Sequence, residues 1–538
     1  MSKKPEKSTI GPDGYLCLVL HAHLPFVRHP ENEYKMEENW FYEALTETYI
    51  PFLLMFGNLR DDSIPFRLTM SLTPPLCAMM NDPLLRQRYV KHLERLITLA
   101  QKEMVRTKSD PQLYQNAKMY YNRFQLCLHF FDNVCQRDLI KEFRTFQDQG
   151  FLEIITCAAT HGYLPNMQNN EHAVRAQIRV GIESYISNMG KAPAGIWLPE
   201  CGYYPGLERI LYDEGIRFFF LETHGLLLGK PRPSYGVFAP VYCKEAPVAA
   251  FGRDVESSRS VWSAQQGYPG HPNYRDFYKD IGFSLDMDYI APYIDPAGIR
   301  VQTGIKYHRV TDIHSEEKEI YSRQDALHTA SVHAGEFMFN REQQIKHLGK
   351  LMDRPPVIAS LYDAELFGHW WYEGPEWLNY LFRKSAFEQS TYEFITPSQY
   401  LKMYPDNETS EPSFSSWGEG GYSYVWLNES NSWIYRHIHH MENRMTESAQ
   451  RFSGAQGVTR RILNQMAREL LLAQSSDWAF IMKTGTMVEY ANNRTKRHIS
   501  NFLKLHELLD KEVKDEQFLC VLEERNNIFA EIDFGVFG

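Results

Sequence analysis

Seven apolar runs recur along the first two thirds of the chain, and each ends in residues able to do chemistry. Tyr15 to Leu20 runs into His21-Ala-His-Leu-Pro25, Phe66 to Leu72 ends at Thr73, and Leu152 to Cys157 ends near Thr160-His161-Gly162. Gly195 to Leu198 ends at Glu200, Ile216 to Leu221 at Glu222-Thr-His224, Val248 to Gly252 at Arg253-Asp254, and Val357 to Leu361 at Asp363. A short continuous apolar run bounded by breakers reads as a strand buried on both faces, the kind that parallel sheets use. The stretches between the runs are long enough for crossover connections. A core has no reason to place polar groups at the same end of every strand, whereas an active site at the carboxyl ends does. The pattern predicts an α/β protein built on a parallel β/α barrel, with a doubly wound sheet as the alternative.

Between the second and third runs the texture changes. Leu85, Tyr89, Leu93, Leu96 and Ala100 recur at helical spacing, as do Tyr120, Phe124, Leu128 and Phe131, which predicts a helical insertion over about 80–149. After Pro397 the strands fade. Met441, Met445, Ala449 and Phe452, then Ile462, Met466 and Leu470, then Phe502, Leu505 and Leu509 keep helical spacing, so residues 401–538 read as a C-terminal helical domain behind a catalytic unit over 1–400. The stretch from Ser415 to Trp426 is rich in glycine and aromatic residues; it reads either as a loop presenting rings to a ligand or as a packed Ω-loop.

Net charge of −10 argues against nucleic acid or an anionic membrane as partner. The N-terminus lacks the apolar centre of a signal peptide, and no run is long enough to span a bilayer. Eight scattered cysteines without a CxxC pair fit a reducing compartment, so a cytoplasmic protein, monomeric, is expected.

Glu200 follows Pro199, which removes a backbone donor and ends the strand there. As an acid, base or nucleophile it needs a partner, and Asp363 is the best candidate, with Glu365 two residues on as competitor or structural neighbour. Two carboxylates at a barrel mouth are the minimum equipment for glycoside hydrolysis or transfer: one attacks the anomeric carbon, the other protonates the leaving oxygen. His21 and His23 have an HxH spacing that, with His161, also suits a metal-dependent hydrolase, although imidazoles equally hydrogen-bond sugar hydroxyls.

The blocks HAHLP, ATHGYLP, WLPECGY, DAELFGHWW and SWGEGGY, in this order between about Tyr15 and Tyr490, resemble the family 57 glycoside hydrolases, and most of all the branch containing 1,4-α-glucan branching enzymes. The resemblance implies a distorted seven-stranded β/α barrel with an inserted helical region and a C-terminal helical domain that completes the cleft. It implies Glu200 as nucleophile, Asp363 as general acid/base, no cofactor and no metal. It puts His21, His23, His161, Arg253, Trp262, Trp417, Trp426 and Asp477 among the substrate-binding residues, and Tyr235 on an active-site loop between Gly229 and Pro240. Pro231, Pro233 and Gly236 around Tyr235 fit a stiff lid, or a rigid surface turn. The expected reaction is retaining transfer of an α-1,4-glucan chain to a 6-hydroxyl. An α-amylase or 4-α-glucanotransferase of the same family is the alternative; a metal-dependent polysaccharide deacetylase or a catalytically silent glucan-binding protein would belong to other classes.

Overall fold

A computed structural model describes residues 11–538 except 264–266, 313–314 and 316. All seven expected strands are present: β1 (Gly14–Ala22), β2 (Leu68–Leu72), β3 (Leu152–Cys157), β4 (Gly195–Trp197), β5 (Phe218–Leu221), β7 (Ala249–Gly252) and β8 (Val357–Asp363). Three further short ones, β6 (Val241–Cys243), β9 (Tyr392–Phe394) and β10 (Thr409–Ser410), were not legible in the pattern. The long strands pair in parallel in the order β7-β5-β4-β3-β2-β1-β8, and β6 runs antiparallel along the outer edge of β7. The sheet curls until its two end strands meet through one isolated bridge, Arg253 against Ala359. The result is a distorted seven-stranded barrel whose seam is a single backbone contact.

The parallel ladder puts every carboxyl end on one rim. His21 pairs with Ser71 on one side and with Asp363 on the other. Every residue of β1 is buried, as expected for a strand covered on both faces.

Between β2 and β3 lie the helices Pro83–Arg106, Pro111–His129 and Leu139–Asp148, each begun by an aspartate side chain that accepts backbone N–H bonds: Asp82, Asp110 and Asp138. The stretch from Tyr274 to Val310, which holds only short helical turns, is fastened to them. The hydroxyls of Tyr289 and Tyr307 donate to the buried Glu103 at 2.7 and 2.8 Å, and Tyr120 donates to the Lys306 carbonyl at 2.7 Å.

From Tyr435 onward the chain is helical: Tyr435–Arg451, Gly457–Ala473, Ser476–Thr484, Val488–Leu509 and Glu516–Arg525. Met441, Met445, Ala449, Ile462, Met466, Leu470, Phe502 and Leu505 form one core that also takes in Ala176 and Val180 of the barrel helix Glu171–Met189. A shared core of this kind fixes the helical bundle to the barrel. No helix among the described residues is long and apolar enough to cross a membrane. The cysteines are free thiols, seven buried and Cys520 exposed.

Candidate active site

Glu200 sits two residues beyond Leu198 in a tight turn, with φ +62°, a left-handed conformation rare for a residue with a Cβ. The turn is held from outside: the Trp417 backbone N–H donates to the Glu200 carbonyl at 2.9 Å. The carboxylate is gripped at both oxygens. The Trp417 indole N–H donates to Oε2 at 2.7 Å, and the Ser476 hydroxyl donates to Oε1 at 2.9 Å. Burial pushes the Glu200 carboxyl up to about 7, and these two donors restrain the rise.

Behind Ser476 runs a chain of polar contacts. His161 Nδ1 lies 2.7 Å from Ser476 Oγ, His161 Nε2 lies 2.9 Å from His21 Nε2, and His21 Nδ1 lies 2.6 Å from Ser71 Oγ. Ser476 spends its one proton on Glu200, so His161 Nδ1–H must donate to Ser476. His161 Nε2 is then an acceptor, His21 Nε2–H donates to it, and Ser71 donates to His21 Nδ1. One ordering satisfies every member with both imidazoles neutral, and every donor points toward Glu200. Burial, followed by repulsion from neighbouring imidazoles, pushes both histidines well below the ordinary value, in keeping with that neutrality. His23 differs. Burial alone would lower it, but Asp477, 3.1 Å from Nε2, outweighs burial and the net shift is upward. The same pair, against burial, brings Asp477 down to about 2. The shift favours the protonated ring, which donates to Asp477 and, through Nδ1 at 3.0 Å, to Thr73.

Asp363, the last residue of β8, has an ordinary extended backbone, φ −69° and ψ 136°. Among the described residues nothing donates a hydrogen bond to its carboxyl. Burial, then the charges of Glu365 and Glu200, push it well above the usual carboxylate range, with Arg253 opposing. Glu365 is otherwise engaged: its Oε1 accepts from the His23 backbone N–H at 3.1 Å and from the Tyr49 hydroxyl. Glu365 thus braces the His23 turn, while the Asp363 carboxyl has no such engagement among the described residues.

The sequence agrees with this geometry. The model of glycosyl hydrolase family 57 matches residues 17–412, and that of the 1,4-alpha-glucan branching enzyme C-terminal region matches 437–537. The chain belongs to glycosyl hydrolase family 57. Relatives of this family 57 chain include a 1,4-alpha-glucan branching enzyme of Thermococcus kodakarensis, 33% identical over 97% of the chain and 78% of that protein. Among solved structures, an alpha-amylase of Thermotoga maritima superposes with TM-score 0.91 at 44% identity, covering 97% of this chain and 99% of that one. A family 57 branching enzyme of Pyrococcus horikoshii superposes with TM-score 0.88 at 32% identity, covering 98% and 97%.

The remaining expected residues of the family 57 site fall into two groups. Arg253, Trp262 and Trp417 come together: the Arg253 guanidinium lies 5.8 Å from the Trp417 ring centre and 2.9 Å from Glu222, and the half-exposed Trp262 meets Trp417 edge to face at 6.4 Å. Trp426 does not offer a face to a ligand. It is 1% exposed, stacked on Tyr163 at 4.9 Å, and lies under Gly418, whose φ of +79° turns the chain just after Trp417. Trp426 is a core ring of this loop, in the cluster against which Trp417 packs. Tyr235 requires a larger correction. Its hydroxyl donates to Asp353 at 2.5 Å, four residues before β8, whereas Asp363 ends that strand about 20 Å away. The Ser234 N–H bonded to Glu408, and Val357 N–H bonded to the Phe238 carbonyl, draw this segment along the strand's beginning. The lid expected over Glu200 is not in place in this conformation.

His23, His161 and Asp477 offer two nitrogens and an oxygen within 4.8 Å of one another, a different trio from the His21, His23 and His161 considered from spacing. His23 is already hydrogen-bonded to Asp477 and His161 to Ser476, so an ion would have to displace both bonds. Sequence reasoning missed Ser71, Ser476 and Glu222. Ser71 carried one available signal, since it lies beside Thr73 at the end of a strand of the repeated kind.

Proposed function

We propose that this family 57 chain is a retaining 1,4-α-glucan branching enzyme acting on amylose-like or glycogen-like chains. The observation that carries the reading is the asymmetry of the two carboxyls. Glu200 receives two donors that stabilise its ionised form, while among the described residues Asp363 receives none and burial pushes its carboxyl well above the usual carboxylate range. Glu200 attacks the anomeric carbon of an α-1,4-linked glucose as Asp363 gives its proton to the departing 4-oxygen. The donor chain is then an ester on Glu200, and Asp363, now ionised, takes the proton from an incoming 6-hydroxyl. Retention requires the two carboxyls to lie roughly 5–5.5 Å apart. Glu222 and the Trp417 ring hold Arg253 where its positive charge faces Asp363, and Trp262 and Trp417 supply apolar faces for sugar rings. His21, His23, His161 and Asp477 line the other side of the nucleophile.

In this reading the catalytic unit spans 1–400, with the helical insertion at about 80–149, and residues 401–538 complete the cleft. Support for that division is that Trp417 and Ser476 reach Glu200, and Asp477 reaches His23, from beyond the last long strand. The chain acts as a monomer in the cytoplasm, without a cofactor. The α-amylase reading draws on the Thermotoga maritima relative and on the position of Tyr235 away from the carboxyl pair. One assay separates the two: incubate with amylose, debranch the product, and count new α-1,6 points against new reducing ends. Branch points in excess support transfer; reducing ends alone reject it in favour of hydrolysis.

A further inference from the structure

Beyond Asp363 the chain makes a second cluster that the chemistry above does not use. Gly368, with φ +116°, lets the turn after Glu365 press on the helical segment Leu45–Tyr49; a Cβ there would meet the Glu47 carbonyl at 1.9 Å. This contact sets out His369 and Trp370. His369 Nδ1 lies 2.8 Å from Glu47, and its Nε2 lies 3.9 Å from Glu43. The Trp370 N–H bonds to the Glu365 carbonyl at 3.2 Å, which ties this turn to the residue bracing His23. The Trp370 indole is 52% exposed. It stacks on Phe277 at 4.2 Å and 25°, and the buried Lys306 ammonium lies 4.2 Å from the centre of that same Phe277 ring. Next in the chain, Tyr278 is 77% exposed.

Two features make this more than stray exposed apolar surface. The indole cannot swing freely, because Phe277 backs it and Gly368 fixes its turn, so a large flat face is held open to solvent at little entropic cost. Beside it, the Glu43 carboxyl is mostly buried yet accepts no hydrogen bond among the described residues, while its neighbour Glu47 is paired with Arg275 and His369. The carboxyl keeps some solvent contact, so a ligand hydroxyl can take the place of water on it. A pyranose ring offers both complements at once, an apolar face for the indole and hydroxyl donors at its edge for a carboxyl. A lipid tail would match the apolar face and leave Glu43 without donors.

We propose that Trp370, backed by Phe277 and edged by Glu43 and His369, is a glucan subsite outside the catalytic pair, occupied by a glucose unit of the same chain whose bond is being cut or made. This rests on the α-glucan reading. The test measures amylose kinetics and maltoheptaose affinity of the full-length protein for wild type, Trp370→Ala, Trp370→Phe and Glu43→Gln, with melting temperatures to verify folding. The expected result is KM for amylose raised roughly fivefold by Trp370→Ala with kcat within about twofold, and largely restored by Trp370→Phe. Glu43→Gln, which keeps the size of the side chain, raises KM about twofold or more. Unchanged KM and affinity in a folded Trp370→Ala or in Glu43→Gln overturns the subsite while leaving the branching reading untouched. A wild type that neither binds nor turns over these glucans overturns both.

Discussion

The turns at Glu200 and Asp363 close two strands of one barrel, yet they are built on opposite principles. Glu200 occupies a left-handed backbone position and is gripped by Trp417 and Ser476 from the far end of the chain. Asp363 continues its strand without strain, and its carboxyl has no donor among the described residues. A nucleophile must be ionised and aimed, which hydrogen-bond donors and a fixed turn provide. A general acid must hold its proton, which burial without donors provides. The difference in role is therefore written in hydrogen bonds rather than in residue type.

The largest effect should come from removing either carboxyl. Glu200→Gln is expected to lose at least about a thousandfold in turnover of amylose while remaining folded; a variant keeping a tenth of wild-type rate would remove Glu200 from the role of nucleophile. Asp363→Asn should lose comparably on amylose. With an aryl α-glucoside, whose leaving group needs no proton, it should still release a burst of phenol. Absence of that burst would mean that Asp363 does more than carry a proton.

Ser476→Ala removes one of the two donors to Glu200. Hydrogen bonds to charged groups contribute about 1.5–3 kcal/mol, so a roughly ten- to hundredfold fall in kcat/KM is expected. Glu200 must be ionised to attack, so activity rises with pH through about 7, and losing a donor moves that limb to higher pH. Equal loss at every pH would show that Ser476 merely shapes the pocket.

A smaller effect concerns stability. The folded value for Glu200, about 7, exceeds the ordinary 4.5, so its contribution to stability is full below about 4.5 and is lost as pH rises through about 7. Glu200→Gln stays neutral and should melt higher than wild type at pH 8, with the gap closing toward pH 5. A constant gap would separate the effect from titration.

Tyr235→Phe drops only the bond to Asp353 and should leave the ratio of α-1,6 points to reducing ends within about twofold. A larger change would place the loop over the cleft during turnover. Finally, dialysis against EDTA should leave activity unchanged; a loss restored by zinc would make ligands of His23, His161 and Asp477 and dissolve the contrast drawn above.

The barrel was legible because its strands are buried on both faces, so seven apolar runs stand out of the sequence directly. Strands β6, β9 and β10 were not: β4 is as short as β6 and β9, but its residues are all buried, whereas each of these carries a partly or fully exposed residue that breaks the apolar run. The stretch from Tyr274 to Val310 escaped notice for another reason: tyrosine hydroxyls on Glu103 hold it rather than any long helix or strand. Within the site, Glu200, Asp363 and the histidines announced themselves as polar groups ending apolar strands. Ser476 could not, because a serine is unremarked until the fold sets it against a carboxylate 276 residues away. Tyr235 misled because prolines and a glycine around an aromatic ring describe a lid and a tethered surface loop equally well.

The distance in sequence between Glu200 and Ser476 has a consequence for the order in which the molecule becomes active. As the chain leaves the ribosome, every long strand and both carboxyls emerge before residue 476 exists outside the exit tunnel. Until the helix Ser476–Thr484 docks against His161, Glu200 lacks its serine donor and Asp477 is not there to hydrogen-bond His23. A nascent barrel with all its strands still lacks both side-chain donors to Glu200, which the last quarter of translation supplies.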